Sequence, residues 1–357
     1  MNNVVLPGYH PARLMRLMRE AIQRCQLDLR GSVVLTEAAI GAYVVTPILA
    51  ALAGAECVFA VTRTTRYGST DQVMAHTREV ARRAGVDDLI RIIVEKSADI
   101  MARADIITNS GHVRPIDVAT IAYFKPTAVV PLMYESWEYR SADLDLIACR
   151  AKGIAVAGTN ERHSAVDVFS YLGIMAVKLL LDAGIAVHGS RMLLLCDNPF
   201  AQFIERGLSG AGAVVDCVRG LSAANNDASY DAIVIALLPT SKPVLDRADA
   251  KRIKKTWNGA VIVQFWGDIP RDSFAEYDVP MWPPQQPAPG HMGILPSEVG
   301  PEPVVRLQAG GLKVGELLWR ARMAGHGSDQ AVQLAVASGF ADRAEPAAPN
   351  DLIGAGQ

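Results

Sequence analysis

The sequence predicts an α/β protein with two domains, and three observations support this prediction. The chain has 357 residues, a length that two domains of ordinary size would fill. Segments typical of strands alternate with segments typical of helices through both halves. Several strand segments, such as VVLT and AVVPLM, are continuously apolar, which is typical of strands buried on both faces of a parallel sheet. We therefore expect two Rossmann-like domains with parallel sheets, joined by a long helix, with an interdomain cleft.

The first half begins with an amphipathic helical pattern, LMRLMREAIQRC, and continues as alternating strands and helices. Pro47 suits the first turn of a helix, and Gly85 suits the end of one. The predicted strands are 32–35, 57–61, 89–94, 105–108, 128–132 and 154–157, and the predicted helices are 46–53, 70–84, 116–124 and 144–151.

The second half starts with a long apolar helix over residues 165–182 and then repeats the alternation. A segment rich in proline and glycine, VPMWPPQQPAPGHMGILPSEVGPEP, predicts a long ordered loop. In RLQAGGLKVGE, the glycines suggest either a plain turn that enters a last helix over 315–324 or a nest for a phosphate or carboxylate, to which Arg306 and Lys313 would add charge. Strands are predicted at 192–195, 213–217, 232–237 and 260–264. The predicted domains are 1–164, a linking helix over 165–187, 188–300, a C-terminal segment with a closing helix over 301–340, and a flexible tail over 341–357.

Composition excludes several functional classes. The formal net charge of −2 gives no electrostatic reason to expect nucleic acid or an anionic membrane as a partner. No run approaches the roughly 18–20 apolar residues that span a bilayer, and the start lacks the order of a signal peptide. The five cysteines form no paired motif and the histidines form no HxH or HExxH, so we expect a cytoplasmic protein without a metal.

Four predicted strands end in unusually polar segments: NSGHVRP, YESWEYR, GTNERH and QFWGDIPR. In open parallel sheets, ligands collect beyond the carboxyl ends of the strands. We therefore expect these segments to line a site for a small-molecule ligand, although a network of interdomain salt bridges is the alternative. The predicted substrate-binding residues are Asn109, His112, Arg114, Glu135, Asn160 and His163.

Over residues 100–295 the order of elements resembles the D-2-hydroxyacid dehydrogenase superfamily, which includes formate and glycerate dehydrogenases. The resemblance rests on DLDLIACRAKGIAVAGTNERHSAVDVFSYLGIMAVKLLLD, HGSRMLLLCDNPFAQFIERGLSGAGAVVDCVRG, YDAIVIALLPTSKPVLD, AVIVQFWGDIPRDSF and PAPGHMG. It implies that an arginine such as Arg271 or Arg114 holds a substrate carboxylate and that His291 is the catalytic histidine. In the family a carboxylate orients this histidine, and Glu298 and Glu302 lie within reach in the sequence.

The sequence departs from this family at the dinucleotide loop. That loop reads GxGxxG or GxGxxA in the family, whereas the matching positions here are Cys196, Asn198 and Ala201, of which only Ala201 fits. Arg219 stands at the position of the acidic residue that would bind the ribose, which favours NADP over NAD. The predicted cofactor-binding residues are Asp197, Asn198, Ala201 and Arg219.

These observations predict a metabolic or biosynthetic enzyme, an NAD(P)-dependent oxidoreductase that acts on a polar substrate bearing a carboxylate. The alternatives are a non-redox enzyme on the same fold, such as an S-adenosylmethionine-dependent transferase, a lyase or a hydrolase, and a ligand-binding protein without catalysis. The helix over 165–182 is apolar on more than one face, and this region helps to form a two-fold dimer in the resembled family. We therefore expect a homodimer.

Overall fold

The computed structural model describes residues 6–65 and 68–344. By their contacts these residues form two compact units: residues 6–168 together with 300–344, and residues 169–299. Both units are built on a mostly parallel sheet with helices on its two faces, which confirms the predicted α/β class. Within the described ranges, no helix combines the length and the apolar content that crossing a membrane requires.

The strands of the described chain are numbered in chain order. They are β1 (Val33–Glu37), β2 (Cys57–Val61), β3 (Ile90–Ile93), β4 (Ile106–Ile107), β5 (Val129–Pro131), β6 (Ala155–Thr159), β7 (Arg191–Leu195), β8 (Val214–Val218), β9 (Ala232–Ala236), β10 (Val261–Trp266), β11 (Met281–Trp282) and β12 (Ala341–Arg343).

The α-helices are numbered in the same way. They are α1 (Pro11–Cys25), α2 (Val45–Leu52), α3 (Thr70–Ala84), α4 (Ala98–Arg103), α5 (Val118–Ala122), α6 (Leu146–Lys152), α7 (Leu172–Asp182), α8 (Ala201–Gly210), α9 (Arg247–Thr256), α10 (Arg271–Glu276), α11 (Glu302–Met323) and α12 (Ser328–Ala337).

The first unit has the strand order β12-β6-β5-β4-β1-β2-β3. Its strands are parallel except β12, which pairs antiparallel with β6 at the edge. Alternate residues of β1 enter the two apolar layers: Val34 packs in the layer of α1, α2 and α11, and Leu35 packs in the layer of α5 and α6. The order of connection reverses between β1 and β4, so this unit has a topological switch point there.

The second unit has five parallel strands in the order β11-β10-β9-β7-β8. Successive β7 residues alternate in the same way: Leu194 packs with α7 and α8, while Leu193 packs in the layer of α9 and α10. Strands β7 and β9 flank the switch point of this unit, and the loop after β7 leads into α8.

Several predicted elements coincide with the structure. Strand β2 and helix α3 have the predicted bounds. The ends of α3 show why: Ser69 and Gln72 form a reciprocal capping box at its start, and Gly85 ends it with a φ of 73°. Local capping chemistry is therefore sufficient to define this helix.

The predicted helix over 165–182 is too long, because α7 begins only at Leu172. Asp167 has a left-handed φ of 52°, which a continuing helix does not permit, and its carboxylate pairs with Arg306 at 2.9 Å. Val168 donates its N–H to the carbonyl of Glu161. These contacts hold the segment before α7 as a loop.

The C-terminal segment also differs from the prediction. The glycines expected in a turn lie inside α11, where a Cβ on Gly311 would come within 2.5 Å of the Met133 sulfur and one on Gly315 within 2.7 Å of Ile106. Glycine therefore allows this helix to pack closely on the sheet. Helix α12 follows, and residues 341–343, expected in a flexible tail, form β12. Residues 345–357 of that predicted tail lie outside the described chain.

Candidate functional site

The switch point of the first unit brings polar residues together at the carboxyl ends of β1 and β4. Glu37 ends β1, and its carboxylate accepts the backbone N–H of His112 at 3.1 Å. Beneath them, the buried hydroxyl of Thr108 donates to Thr36 at 2.8 Å and so joins the two strand ends. Burial and the nearby Arg63 lower the pKa of His112, so its imidazole is neutral near pH 7.

Two buried side chains at this edge carry a polar group without a partner among the described residues. Asn109 is 0% exposed: its carbonyl oxygen accepts the N–H of Met133 at 2.8 Å, but its Nδ2 has no acceptor. Tyr134 follows β5 and is 8% exposed, and its hydroxyl also has no partner. Because unsatisfied buried polar groups are costly, such groups indicate a place where a ligand or water completes the bonding.

Glu37 ends β1, Glu138 follows β5 and Glu161 follows β6, and we call these three glutamates the carboxyl cluster. Burial raises the pKa of Glu37. Burial and neighbouring glutamates raise the pKa of Glu138 and of Glu161, which share a side-chain hydrogen bond. Tyr43, in the turn after β1, is close enough to all three for their charge, together with burial, to raise its pKa to about 12. Glu138 and Glu161 are therefore protonated more readily than a free glutamate.

The arginines around the carboxyl cluster form ion pairs with other carboxylates, and two of them share one. Arg114 and Arg140 both pair with Asp143, at 3.0 and 3.3 Å, and Arg114 also stacks over the Tyr134 ring at 5.7 Å. Arg162 pairs with the predicted residue Glu135 at 3.3 Å. Arg114 and Glu135 are therefore placed at this edge as predicted, but both take part in ion pairs within the protein.

Asn160 and His163, predicted to bind substrate, make contacts to the C-terminal segment. The Asn160 amide donates to the carbonyl of Gly339 at 2.8 Å. His163 stacks on Phe340 with ring centroids 3.9 Å apart, and its Nδ1 accepts the N–H of Ala165. These two side chains attach the segment before β12 to the end of β6.

In the second unit, an open depression of about 370 Å³ lies at the carboxyl ends of β7 and β8. Its volume is within the range of ligand sites in proteins. The four residues predicted to bind a cofactor line it: Asp197, Asn198, Ala201 and Arg219.

Side-chain hydrogen bonds hold the loop that lines this depression. Asn198 accepts the N–H of Phe200 at 3.0 Å and donates to the carbonyl of Ala236 at 2.7 Å. Asp197 accepts the N–H of Leu238 at 3.0 Å. In a glycine loop, backbone N–H groups donate to the pyrophosphate. Here the N–H of Phe200, at the start of α8, already donates to the Asn198 side chain. Arg219 is exposed at the end of β8.

Arg271 begins α10 just after β10, and it is half-buried. Its guanidinium donates to the carbonyl of Pro283 at 3.0 Å and contacts the Met281 sulfur at 3.8 Å, while its buried Nε has no partner. Burial lowers its pKa, and no carboxylate of the described chain lies within ion-pair distance. A half-buried cation without an anion is a candidate for binding one.

His291 is exposed on a loop fixed to the end of β10. Its neighbour Gly290 donates to both carboxylate oxygens of Asp268, at 3.0 and 3.2 Å, and accepts the indole N–H of Trp266 at 3.1 Å. Glu298 accepts the N–H of Leu295 at 2.8 Å in its own turn. Glu302, at the start of α11 in the first unit, pairs with Arg13 of α1.

The sequence predicted Arg219, which lines the depression, but it did not predict the carboxyl cluster as a unit. A single acidic residue at a strand end is common, and Glu37 is separated from Glu138 by about a hundred residues. The available signal was the glutamate that ends the apolar strand VVLTE. Within the described residues, no group of three or more His, Cys, Asp or Glu side chains has the geometry to hold a metal ion.

Each sheet has a topological switch point, and polar residues lie at the carboxyl ends of its strands. These features define a Rossmann-type α/β protein. Among solved structures, the chain is similar to a dipicolinate synthase from Bacillus subtilis, with a TM-score of 0.53 and 11% identity over 83% of this chain and 99% of that one. It is also similar to a dipicolinate synthase from Bacillus halodurans, with a TM-score of 0.49 and 11% identity over 79% and 96% of the two chains.

An NAD-dependent formate dehydrogenase from Staphylococcus aureus in complex with NAD matches with a TM-score of 0.40 and 12% identity, over 82% of this chain and 96% of that one. No protein-family profile matches the sequence, and no curated protein matches it. The likeness to the Bacillus subtilis dipicolinate synthase is therefore one of fold.

Proposed function

We propose that the protein is an NADP-dependent oxidoreductase acting on a small substrate that bears a carboxylate. One observation carries the proposal: the depression at the carboxyl ends of β7 and β8 is lined by Arg219 at the position where an α/β fold of this type binds the ribose of a dinucleotide.

The residues of the depression fit the 2′-phosphate of NADP better than its pyrophosphate. Arg219 suits the 2′-phosphate of NADP, because a guanidinium binds phosphate through paired hydrogen bonds. Ala201 permits the close approach that the third position of the glycine pattern requires. At the start of α8, however, the Asn198 side chain lies where a pyrophosphate would bind, so we expect this side chain to reorient when the cofactor binds.

Arg271 and His291 supply the substrate-side chemistry in this proposal. Arg271 would bind the substrate carboxylate, since its buried Nε has no partner and its charge has no counter-ion among the described residues. His291 would move a proton to or from the substrate oxygen, and the bonds from Gly290 to Asp268 hold its loop for this role. The cofactor, when bound, would supply the hydride when an oxo acid is reduced and accept it when a hydroxy acid is oxidised.

The test is a screen of small hydroxy and oxo acids, followed by absorbance at the nicotinamide band. We expect turnover with NADP(H), and we expect His291→Ala to reduce kcat by about 10²-fold or more. His188→Ala is the matched control, because His188 is also exposed in the second unit and does not line the depression. Equal activity of the two variants would exclude His291 as the acid–base group.

Measuring the binding of NADPH and of S-adenosylmethionine distinguishes an oxidoreductase from a transferase. If NADPH at millimolar concentration produces no change in melting temperature or protein fluorescence, the oxidoreductase proposal fails. A shift with S-adenosylmethionine and none with NADPH would indicate a transferase instead.

A further inference from the structure

We propose that Asn198 determines which nucleotides the depression of the second unit binds. Its side chain occupies the position that a pyrophosphate would take, so a nucleotide with a pyrophosphate binds only after this side chain moves. A ribose phosphate, in contrast, reaches Arg219 without that step. This role of Asn198 rests on the proposed function, because both concern the same depression.

The backbone at the start of α8 offers little to a phosphate while Asn198 keeps its present position. Pro199 has no N–H group. Phe200 donates its N–H to the Asn198 side chain at 3.0 Å, and Ala201 donates its N–H to the Asn198 carbonyl oxygen at 3.3 Å. Because a helix start binds phosphate through such N–H groups, the Phe200 N–H becomes available to a pyrophosphate only when the Asn198 side chain has released it.

The Asn198 side chain also joins the two strand ends that flank the switch point of this sheet. Asn198 follows β7, and its Nδ2 donates to the carbonyl of Ala236, the last residue of β9, at 2.7 Å. Asp197 accepts the N–H of Leu238 at 3.0 Å and the Asn198 Nδ2 at 3.1 Å. We call these three bonds the side-chain clamp. Ligands of parallel sheets bind in the crevice at such a switch point, and the clamp spans that crevice.

The side-chain clamp lowers the apparent affinity for a nucleotide that has to displace it. When only a fraction of the molecules has the open arrangement, the apparent dissociation constant rises by the inverse of that fraction. The bonds of the clamp must also be replaced by bonds to the ligand or to water. The dinucleotide pattern GxGxxG has glycine at the position of Asn198, so a loop of that kind forms no such clamp.

Adenosine 2′-monophosphate is the probe that separates the two parts of the site, because it has the ribose phosphate of NADP and lacks the pyrophosphate. Calorimetric titration of the full chain with this probe and with NADPH gives two affinities for each variant. Asn198→Ala should bind NADPH about tenfold or more tightly than the native protein does. Its affinity for adenosine 2′-monophosphate should stay within about twofold of the native value.

Asn258→Ala is the matched control, because Asn258 is exposed shortly after α9 in the same unit and does not line the depression. It should bind both nucleotides as the native protein does. Amide hydrogen exchange gives a readout that needs no ligand. The Leu238 N–H should exchange faster in Asn198→Ala, in which Asp197 has lost its bond to Asn198, and at the native rate in Asn258→Ala.

Three results would each overturn the proposal: native NADPH affinity in Asn198→Ala, an equal change in its affinity for both nucleotides, or native exchange of the Leu238 N–H in that variant. Failure of the proposed function is distinguishable from these results. In that case the native protein and both variants would bind neither NADPH nor adenosine 2′-monophosphate, and the role of Asn198 would be excluded with it.

Discussion

Glu138, a half-buried glutamate, shows how one carboxyl group makes stability depend on pH. Burial and the charge of Glu135 raise its pKa from 4.5 to about 7 in the folded protein. Because the folded pKa lies above the unfolded value, the stabilising effect is full below pH 4.5 and is lost as pH rises through about 7. The native protein should therefore lose stability between these values.

Glu138→Gln should remove this loss. We expect the variant to exceed the native protein in free energy of unfolding by about 1–3 kcal/mol at pH 8 and to differ little at pH 5. Urea denaturation at the two pH values measures the difference. A difference that is the same at pH 5 and pH 8 would contradict the account of this carboxyl group.

Arg271 should contribute little to folding, since it has no carboxylate partner in the described chain. We expect Arg271→Met to change the free energy of unfolding by about 1 kcal/mol or less, in contrast to the several kcal/mol expected when a buried ion pair is broken. The same variant should abolish saturation by a carboxylate substrate. A strongly destabilised Arg271→Met protein would show that the arginine is structural.

The residues of the two sites differed in how far the sequence could predict them. Arg219 was predictable because it follows a strand whose order in the chain is recognisable from local pattern alone. The carboxyl cluster was not, because Glu37, Glu138 and Glu161 meet only through the pairing order of the sheet. Glu302 was chosen for its sequence distance from His291, yet the fold pairs it with Arg13.

At the scale of elements, helices α7 and α8 pack through glycine. A Cβ on Gly207 would lie 2.3 Å from the Cα of Gly173, so we expect Gly207→Ala to cost about 1–3 kcal/mol. Gly210→Ala is the matched control at the end of α8, where no atom lies within 4 Å, and it should be neutral or stabilising by up to about 1 kcal/mol. Equal effects of the two substitutions in denaturation experiments would contradict this packing.

Helices defined by local chemistry were predicted well, and those defined by distant contacts were not. Helix α3 has its own cap and its own terminating glycine. The start of α7 depends instead on the ion pair from Asp167 to Arg306, which lies 139 residues away in the sequence. The glycines of α11 are typical of a turn when only the sequence is considered. The structure shows that they allow the helix to pack closely on the sheet.

For the whole molecule, the C-terminal segment returns to the first unit, where α11 packs against β4, β5 and β6. The sequence predicted a separate segment over 301–340, because periodicity identifies a helix without identifying the sheet that it covers. The alternation of elements was sufficient to predict both parallel sheets.

We also propose that the protein is a homodimer. Ile174 and Leu181 of α7 are 55% and 57% exposed in the single chain, although the rest of that helix is largely apolar and buried. We expect light scattering at micromolar concentration to give the mass of a dimer, and Ile174→Glu to shift it toward a monomer. A monomer mass for the native protein would exclude the dimer.

Calorimetric titration with NADPH and NADH measures whether the depression of the second unit binds NADP through Arg219, as we propose. We expect NADPH to bind about tenfold or more tightly than NADH, and we expect Arg219→Ala to remove this preference while leaving NADH binding little changed. Arg206→Ala, which alters an exposed arginine of α8 outside the depression, should retain the preference. Equal affinities for the two nucleotides in the native protein, or an Arg219→Ala variant that still prefers NADPH, would contradict the claim.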